Sequence, residues 1–332
     1  MYLAFFKLKR NPFAMSPDPS MIYMTESHRD ALAGVTYSVL AAKGFVVLIG
    51  DAGTGKTTVI SRMLRYIPRD RAVFSLLLSP TVTANEFLES VLIDFGITDI
   101  PSSKVQRLVK LQEFVTEAHA KGTTCVLLVD EAHKLSPEVL EEIRLLTNFE
   151  NAERKLLQIV LAGQTELADV LNREDLRQLK QRIAVRFTLR PLSAYEIPEY
   201  LYFRWAAGGA ESALPFGDEE IQTIADVSGG IPRIINAICD NALLLAFVDA
   251  APMVTAAHVY DAICDLDLEP PASRPLPAAP QPPALPKLNL PELTSPARPM
   301  GLRTLERYMP SERKAPFLIR WATKMRLANV EH

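Results

Sequence analysis

One eight-residue segment constrains the fold of this chain more than any other feature. Residues 50–57 read Gly-Asp-Ala-Gly-Thr-Gly-Lys-Thr and match the pattern G-x-x-x-x-G-K-[ST]. The apolar residues 45–49 precede the segment and predict a buried strand, and the sequence from Lys56 to Ile67 predicts a helix. Because glycine lets the backbone wrap around an anion at a helix N-terminus, this order of elements predicts a phosphate-binding loop in an α/β fold.

The first 190 residues alternate between short apolar segments and longer amphipathic segments. Four more strands are predicted, over residues 72–78, 124–129, 156–162 and 185–189. Strands that are apolar on both faces are typical of a parallel sheet with helices on both faces. After Ser193 only helices are predicted, over residues 194–206, 218–227, 232–248 and 256–265. We therefore expect a phosphate-binding α/β domain over 1–190 and a small all-helical domain over 191–269.

A proline-rich segment marks the main boundary along the chain. Residues 270–299 contain 11 of the 25 prolines and no glycine, which predicts an extended linker. Residues 300–332 form a short tail, and residues 270–332 carry ten Lys and Arg against four Asp and Glu. One helical arc beside Arg320 and Lys324 carries Phe317, Leu318, Trp321, Met325 and Ala328, whereas Ile319 and Leu327 fall off it. This pattern suits either docking on a membrane surface or partner groove, or a weakly structured tail.

Composition excludes several classes of protein. The chain of 332 residues is 48% hydrophobic and 23% charged, which excludes a wholly disordered or fibrous chain. Its three cysteines are too few and too scattered for a disulfide framework or a cysteine-based zinc site. No apolar run approaches the roughly 18 residues that span a bilayer, and the N-terminal order of apolar and charged residues is the reverse of a secretory signal. We therefore expect a cytoplasmic protein, and the basic tail leaves a peripheral position at the inner membrane open.

The glycine-rich loop and its helix supply the candidate nucleotide-binding groups. Lys56 can reach the β- and γ-phosphates, and the hydroxyl of Thr57 can bind Mg²⁺. Loop N–H groups point inward and can surround a phosphate chain. The candidate nucleotide-binding residues of this segment are Gly50, Asp51, Ala52, Gly53, Thr54, Gly55, Lys56, Thr57 and Thr58.

Polar side chains follow two of the predicted strands. Asp130 and Glu131 come directly after residues 124–129, and ligands of open parallel sheets bind at the carboxyl ends of strands. Asp130 can hold Mg²⁺ through water, and Glu131 can orient or deprotonate the water that attacks the γ-phosphate. Gln164 follows the next strand and can contact the γ-phosphate or that water, although the same segment also suits the start of a helix.

Three arginines are candidates for stabilising charge during phosphoryl transfer. Arg182 and Arg186 can be solvated, can pair with acidic neighbours, or can reach the nucleotide of a neighbouring subunit. Arg233 follows Ser-Gly-Gly-Ile-Pro at a predicted helix start, where a cation opposes the helix dipole. A compensating anion is therefore expected beside Arg233, either a nucleotide phosphate or an acidic side chain.

Together these motifs resemble those of AAA+ ATPases. Residues 50–57 are similar to Walker A and residues 126–131 to Walker B. The resemblance implies that Gln164 is sensor 1, that Arg182 is a trans-acting arginine finger with Arg186 as second choice, and that Arg233 is sensor 2. It also implies that the helical domain is a lid over the nucleotide.

A narrower resemblance, to the ExeA-like (general secretion pathway protein A) ATPases, covers roughly residues 1–268. It rests on the opening Met-Tyr-Leu-Ala-Phe-Phe-Lys-Leu, on Asn-Pro-Phe at 11–13, on Pro-Asp-Pro at 17–19, and on Tyr23 and His28. In the wider family, residues before the first helix help to cover the adenine, which implies a base pocket from Pro19 to Tyr23. Longer members continue into a transmembrane helix and a peptidoglycan-binding domain, so we expect a short form.

These resemblances imply a Mg²⁺-dependent ATPase that acts as a homo-oligomer, either a ring or a filament. In the first hypothesis it binds and hydrolyses ATP to drive an envelope-associated assembly of the secretion, pilus or polysaccharide-export type. The alternative is a DNA-binding, ATP-dependent switch that resembles TnsC-like transposition regulators, for which Lys104, Arg107 and Lys110 would line a shared surface. The charge of −9 on residues 1–269 counts against this alternative. A nucleotide-binding scaffold without turnover is a third hypothesis.

Overall fold

A computed structural model describes residues 2–15, 21–68, 70–78, 81–152 and 154–269. These residues fall within the first of two units into which the chain divides, Met1–Arg274. The predicted linker (270–299) and tail (300–332) lie outside the described residues.

The first part of the chain forms a five-stranded parallel sheet. Its strands are β1 (Phe45–Gly50), β2 (Ala72–Leu77), β3 (Thr124–Val129), β4 (Leu157–Gly163) and β5 (Ile183–Leu189). Their order across the sheet is β2-β3-β4-β1-β5, and every neighbouring pair is parallel. Each strand begins and ends within two residues of its predicted bounds, and the predicted α/β fold class is confirmed. β1, β3 and β4 are buried on both faces, whereas β5 alternates because it lies at an edge.

Several helices precede β5 in the chain, and all of these except the first pack around the sheet. They are α1 (Tyr2–Phe5), α2 (Glu26–Leu40), α3 (Lys56–Tyr66), α4 (Ala84–Asp94), α5 (Lys104–Ala120), α6 (Pro137–Leu146), α7 (Glu166–Asn172) and α8 (Arg177–Lys180). Local sequence explains where several of them begin. Thr83 and Glu86 form a reciprocal capping box at α4, and the Ser136 hydroxyl caps α6, whose first residue is Pro137.

Four helices follow the sheet: α9 (Glu196–Ala207), α10 (Asp218–Ser228), α11 (Pro232–Val248) and α12 (Ala256–Asp265). They enclose a second hydrophobic core, separate from the core that surrounds the sheet. Phe6, Leu8 and Phe13 belong to this second core, with Phe6 beside Trp205 and Phe13 beside Phe216. The N-terminal segment therefore packs with the helical region, although the sequence-based boundary placed it in the α/β domain. Its aromatic side chains find their apolar partners there.

Among the described residues, no helix has both the length and the apolar character that crossing a bilayer requires.

Candidate nucleotide-binding site

The glycine-rich loop links β1 to α3 in a conformation that requires glycine. Gly53 and Gly55 have φ angles of +82° and +96°, in the left-handed region. A Cβ atom on Gly53 would lie 2.6 Å from the Cβ atom of Arg233, so the backbone also packs too closely for a side chain. The Thr54 hydroxyl donates to the Asp51 carbonyl over 2.8 Å and fixes the turn. Contacts within the chain thus fix the conformation of the loop.

Lys56 extends back along this loop. Its Nζ donates to the carbonyl oxygens of Gly50 (2.7 Å) and Asp51 (2.9 Å), and the residue is buried. Burial lowers the pKa of Lys56, whereas the carboxylates of Glu131 and Asp130 oppose that shift. A buried ammonium whose acceptors are two backbone carbonyls can exchange them for phosphate oxygens.

The Thr57 hydroxyl and the Asp130 carboxylate meet at the carboxyl edge of the sheet. Thr57 Oγ1 donates to Asp130 Oδ2 over 2.9 Å, and the Glu131 N–H donates to Oδ1 over 2.9 Å. Asp130 is only 6% exposed, and burial raises its pKa. Hydroxyl and carboxylate oxygens are the hard ligands that Mg²⁺ prefers, so this pair fits a magnesium ion.

Glu131 turns its side chain towards the end of the neighbouring strand. Its backbone is left-handed, with φ of +52°, and its side chain is 33% exposed. Its Oε2 accepts a hydrogen bond from Gln164 Nε2 over 3.4 Å and lies 3.6 Å from His133 Nε2. The structure therefore brings together the glutamate after β3 and the glutamine after β4, as their places in the sequence suggested.

Gln164 itself is oriented by its neighbours. Its backbone N–H donates to His133 Nδ1 over 3.3 Å, and α7 has Thr165 as N-cap with no side-chain capping bond. The side chain of Gln164 thus faces Glu131 and does not cap the helix. Thr165 Oγ1 donates to Asp51 Oδ1 over 3.3 Å and ties this strand end to the glycine-rich loop.

Arg233 joins the site from the helical region. It lies in the first turn of α11, and its Cβ faces Gly53. Within the described residues its guanidinium has no hydrogen-bond or ion-pair partner, so no acidic side chain there supplies the expected anion. The preceding turn is tightly fixed, since a Cβ atom on Gly230 would lie 2.0 Å from the Leu192 carbonyl oxygen.

Arg182 and Arg186 lie away from this loop. Ile183 pairs with Phe45 at the start of β1, whereas Leu189 pairs with Gly50 at its end. At about 3.3 Å per residue, Arg182 is about 20 Å from the loop edge of the sheet. Arg186 lies on the edge strand β5, where it pairs with Val47 of β1, and its side chain is exposed. Neither arginine is placed to act on the nucleotide site of its own chain.

Tyr23 packs on the helical region. Its hydroxyl donates to Glu199 Oε2 over 2.7 Å, and its ring contacts Tyr200 and Phe203 of α9. Burial and the Glu199 carboxylate raise its pKa to about 12. Pro19, the other end of the predicted base pocket, lies outside the described residues.

His28 belongs to the residues that carry the narrower resemblance, but its contact with the glycine-rich loop was not predicted. His28 Nε2 lies 2.8 Å from the Thr54 carbonyl oxygen and the residue is 4% exposed. The available signal was a histidine on the otherwise apolar face of the helix that precedes β1. Alone, that signal does not separate a structural histidine from one at a site.

The cations expected to line a DNA surface are paired with acidic side chains. Lys104 contacts the Glu142 carboxylate, Arg107 lies 3.4 Å from Glu89, and Lys110 lies 2.7 Å from Asp99. Their positive charge is therefore largely balanced locally.

Comparison with known proteins agrees with this geometry. Residues 40–171 match the AAA domain family. The chain is 42% identical to general secretion pathway protein A of Aeromonas hydrophila over 248 residues, which are 74% of this chain and 45% of that protein. The chain thus matches less than half the length of this relative.

The chain is also similar to a more distant curated protein and, in fold, to solved structures. The ATP-dependent target DNA activator B of Escherichia phage Mu is 24% identical over 79% of this chain and 78% of its own length. Among solved structures, the Aeropyrum pernix ORC2 protein shares the fold with a TM-score of 0.58, at 14% identity, over 78% of this chain and 72% of its own.

Proposed function

Because the chain carries an AAA domain and is related to general secretion pathway protein A, we propose that it binds ATP with Mg²⁺ and hydrolyses it to ADP and phosphate. The observation that carries this proposal is the contact between Thr57 and Asp130 beside the loop that holds Lys56, with Glu131 next to it. A binding loop alone would suit a scaffold, whereas the second carboxylate supplies a group for turnover.

Each residue has a distinct task in this proposal. Lys56 binds the β- and γ-phosphates, and Thr57 and Asp130 hold the magnesium ion, which neutralises phosphate charge when bound. Glu131 orients and deprotonates the attacking water, and the contact with Gln164 supports a shared role at the γ-phosphate.

The positions of the arginines support an oligomer. Arg182 lies at the opposite end of the strands from the glycine-rich loop of its own chain. Its guanidinium can therefore stabilise the transferred phosphate only in a neighbouring copy. Arg233 faces the loop of its own chain at Gly53 and suits a lid that closes on the nucleotide. We therefore propose a homo-oligomer in which each site combines an α/β domain, the helical region of the same chain and one arginine of the neighbour.

The proposed biological setting is an envelope-associated assembly. Its support is the 42% identity to general secretion pathway protein A over most of the described residues. We propose that the protein works from the cytoplasm at the inner membrane, where the basic tail over 300–332 would contact a membrane surface or an envelope or secretion-system protein. The DNA-binding switch remains the alternative, because the chain is also similar to the phage Mu protein. The ion pairs of Lys104, Arg107 and Lys110 with acidic side chains do not favour it.

The test is ATP turnover by the purified chain of 332 residues, with Mg²⁺ and in its absence. We expect Mg²⁺-dependent release of phosphate that Lys56→Ala and Glu131→Gln reduce by at least about a hundredfold. Glu113→Gln, which changes an exposed glutamate on α5, serves as the matched control and should leave turnover unchanged. Unchanged turnover in Glu131→Gln would contradict the assigned chemistry.

The same assay separates the two settings. Stimulation by anionic lipid vesicles that disappears when residues 300–332 are removed would support the envelope role. Stimulation by double-stranded DNA that weakens steeply with salt would support the DNA-binding switch instead.

A further inference from the structure

We propose that His28 is a positioning residue of the phosphate-binding loop, which holds the Thr54–Gly55 peptide so that its N–H faces the nucleotide. This inference rests on the proposed binding of ATP at that loop. It assigns a task to a side chain outside the loop motif.

The contact is specific in its chemistry. A carbonyl oxygen only accepts, so His28 Nε2, 2.8 Å from the Thr54 oxygen, carries the proton. Nδ1 is then the acceptor in the neutral ring, and the Thr25 hydroxyl lies 2.5 Å away to donate to it. Burial lowers the pKa of His28, which favours the neutral ring, although the Thr54 carbonyl opposes that shift. Both ring nitrogens thus have a partner that selects one tautomer.

The planar peptide couples the direction of the Thr54 carbonyl to the direction of the Gly55 N–H. The described peptide bonds are trans, so the C=O of Thr54 and the N–H of Gly55 point in opposite directions. Fixing the carbonyl on the imidazole therefore aims the N–H away from it, towards the inside of the loop. Among the described residues none accepts a hydrogen bond from this N–H, which leaves it available for a phosphate oxygen.

The bond of the Thr54 hydroxyl to the Asp51 carbonyl fixes the turn before this peptide, and the imidazole restrains the carbonyl of the peptide itself. Glycines with positive φ stand at 53 and 55, on either side of Thr54, and glycine offers little resistance to rotation. A Cβ atom on Gly55 would lie 2.8 Å from His28 Nε2, so the imidazole fills the space beside the backbone that a side chain would need. The ring therefore restrains the most adaptable part of the loop.

Two amides of different length test the proposal. In His28→Gln the side-chain N–H reaches about as far as Nε2, whereas in His28→Asn it ends one bond short. We expect the Kd of Mg·ADP and the KM for ATP to rise about tenfold in His28→Asn and by less than about threefold in His28→Gln, with kcat at saturating ATP retained in both. A purely structural role would instead lower the active fraction, and hence kcat, without raising KM.

The controls separate this inference from the proposed function. If the wild-type chain and Lys56→Ala both fail to bind nucleotide, the proposed function fails. If the wild type binds, Lys56→Ala does not, and His28→Asn binds as tightly as the wild type, only the role of His28 is overturned. If His28→Asn does not fold, the ¹⁵N shifts of the wild-type imidazole decide: a ring with a proton on Nε2 supports the proposal, and a ring with its proton on Nδ1 alone overturns it.

Discussion

Asp130 stands in a place that is unfavourable for its own charge. Burial raises its pKa, although the hydrogen bonds from Thr57 and from the Glu131 N–H act in the opposite direction. An acid whose pKa is higher in the folded state destabilises the fold above that pKa, and the cost vanishes once the pH falls below the unfolded value, about 3.9. The nucleotide-free protein therefore carries this cost at neutral pH, where a bound cation would offset it.

Asp130→Asn is expected to raise the melting temperature of the nucleotide-free, magnesium-free protein at pH 7. The amide removes the buried charge and keeps an acceptor for the Glu131 N–H. The gain should shrink as the pH is lowered towards 4, because the wild-type carboxyl takes up its proton there. Thermal melts across this pH range measure it.

Asp99→Asn provides the control of opposite sign. Asp99 is exposed, and its hydrogen bond with Lys110 lowers its pKa, so its removal should give no gain at pH 7. A melting temperature for Asp130→Asn at or below that of the wild type at pH 7 would refute the account.

Glu131 occupies a backbone conformation that suits glycine better than glutamate. Its φ is +52° and its ψ +34°, and the left-handed region costs a residue with a Cβ atom about 1 kcal/mol. We predict that Glu131→Gly is about 1 kcal/mol more stable than Glu131→Ala, and that neither hydrolyses ATP. Denaturant unfolding of the pair measures the difference. Equal stability, or a more stable alanine variant, would show that the turn relaxes.

Elements differ in how far local sequence predicts them. Most of the strands were predicted closely because a short, continuous apolar run between turn signals is typical of a strand that is buried on both faces of a parallel sheet. The helices α1, α7 and α8 span only four to seven residues, too few for a helical period to be visible. The packing of residues 2–13 on the helical region depends on contacts about 200 residues away, which no local pattern encodes.

Arg204 is the main polar anchor between α9 and the N-terminal segment. Its buried guanidinium donates to the carbonyls of Pro12 (2.5 Å), Ala14 (3.2 Å) and Met21 (3.1 Å). Arg204→Met would leave three carbonyls without this donor, so we expect the free energy of unfolding to fall by at least about 2 kcal/mol. Limited proteolysis should also cut the segment before α2 faster.

Arg173→Met is the matched control, because among the described residues this exposed arginine pairs only with the nearby Asp175. Its unfolding free energy should change by less than about 0.5 kcal/mol. If both variants behave alike, the anchor at Arg204 has no special weight.

At the scale of the whole molecule, the residues of the site form three groups, which differ in how far the sequence alone predicts them. Gly50–Thr57, Asp130 and Glu131 could be predicted because strand ends of a parallel sheet meet at one edge. Arg233 is a candidate from its motif and from the resemblance, but its approach to Gly53 from another region is visible only in the fold. His28 could not be assigned, because its partner is a backbone carbonyl that has no sequence signature.

Variants at Arg182 test whether a neighbouring copy contributes an arginine to the nucleotide site. The distance of Arg182 from its own loop means that Arg182→Ala keeps an intact nucleotide site but gives its neighbour no arginine, whereas Lys56→Ala has the converse defect. Each variant alone should have little turnover, and a mixture should regain activity, because some Arg182→Ala sites then receive arginine from Lys56→Ala subunits. Phosphate release at several mixing ratios measures the recovery.

The control replaces Arg182→Ala by Arg186→Ala, which should be active without mixing. If activity recovers only when Arg186→Ala is mixed with Lys56→Ala, the role belongs to Arg186. If neither mixture recovers activity, each site is formed within one chain.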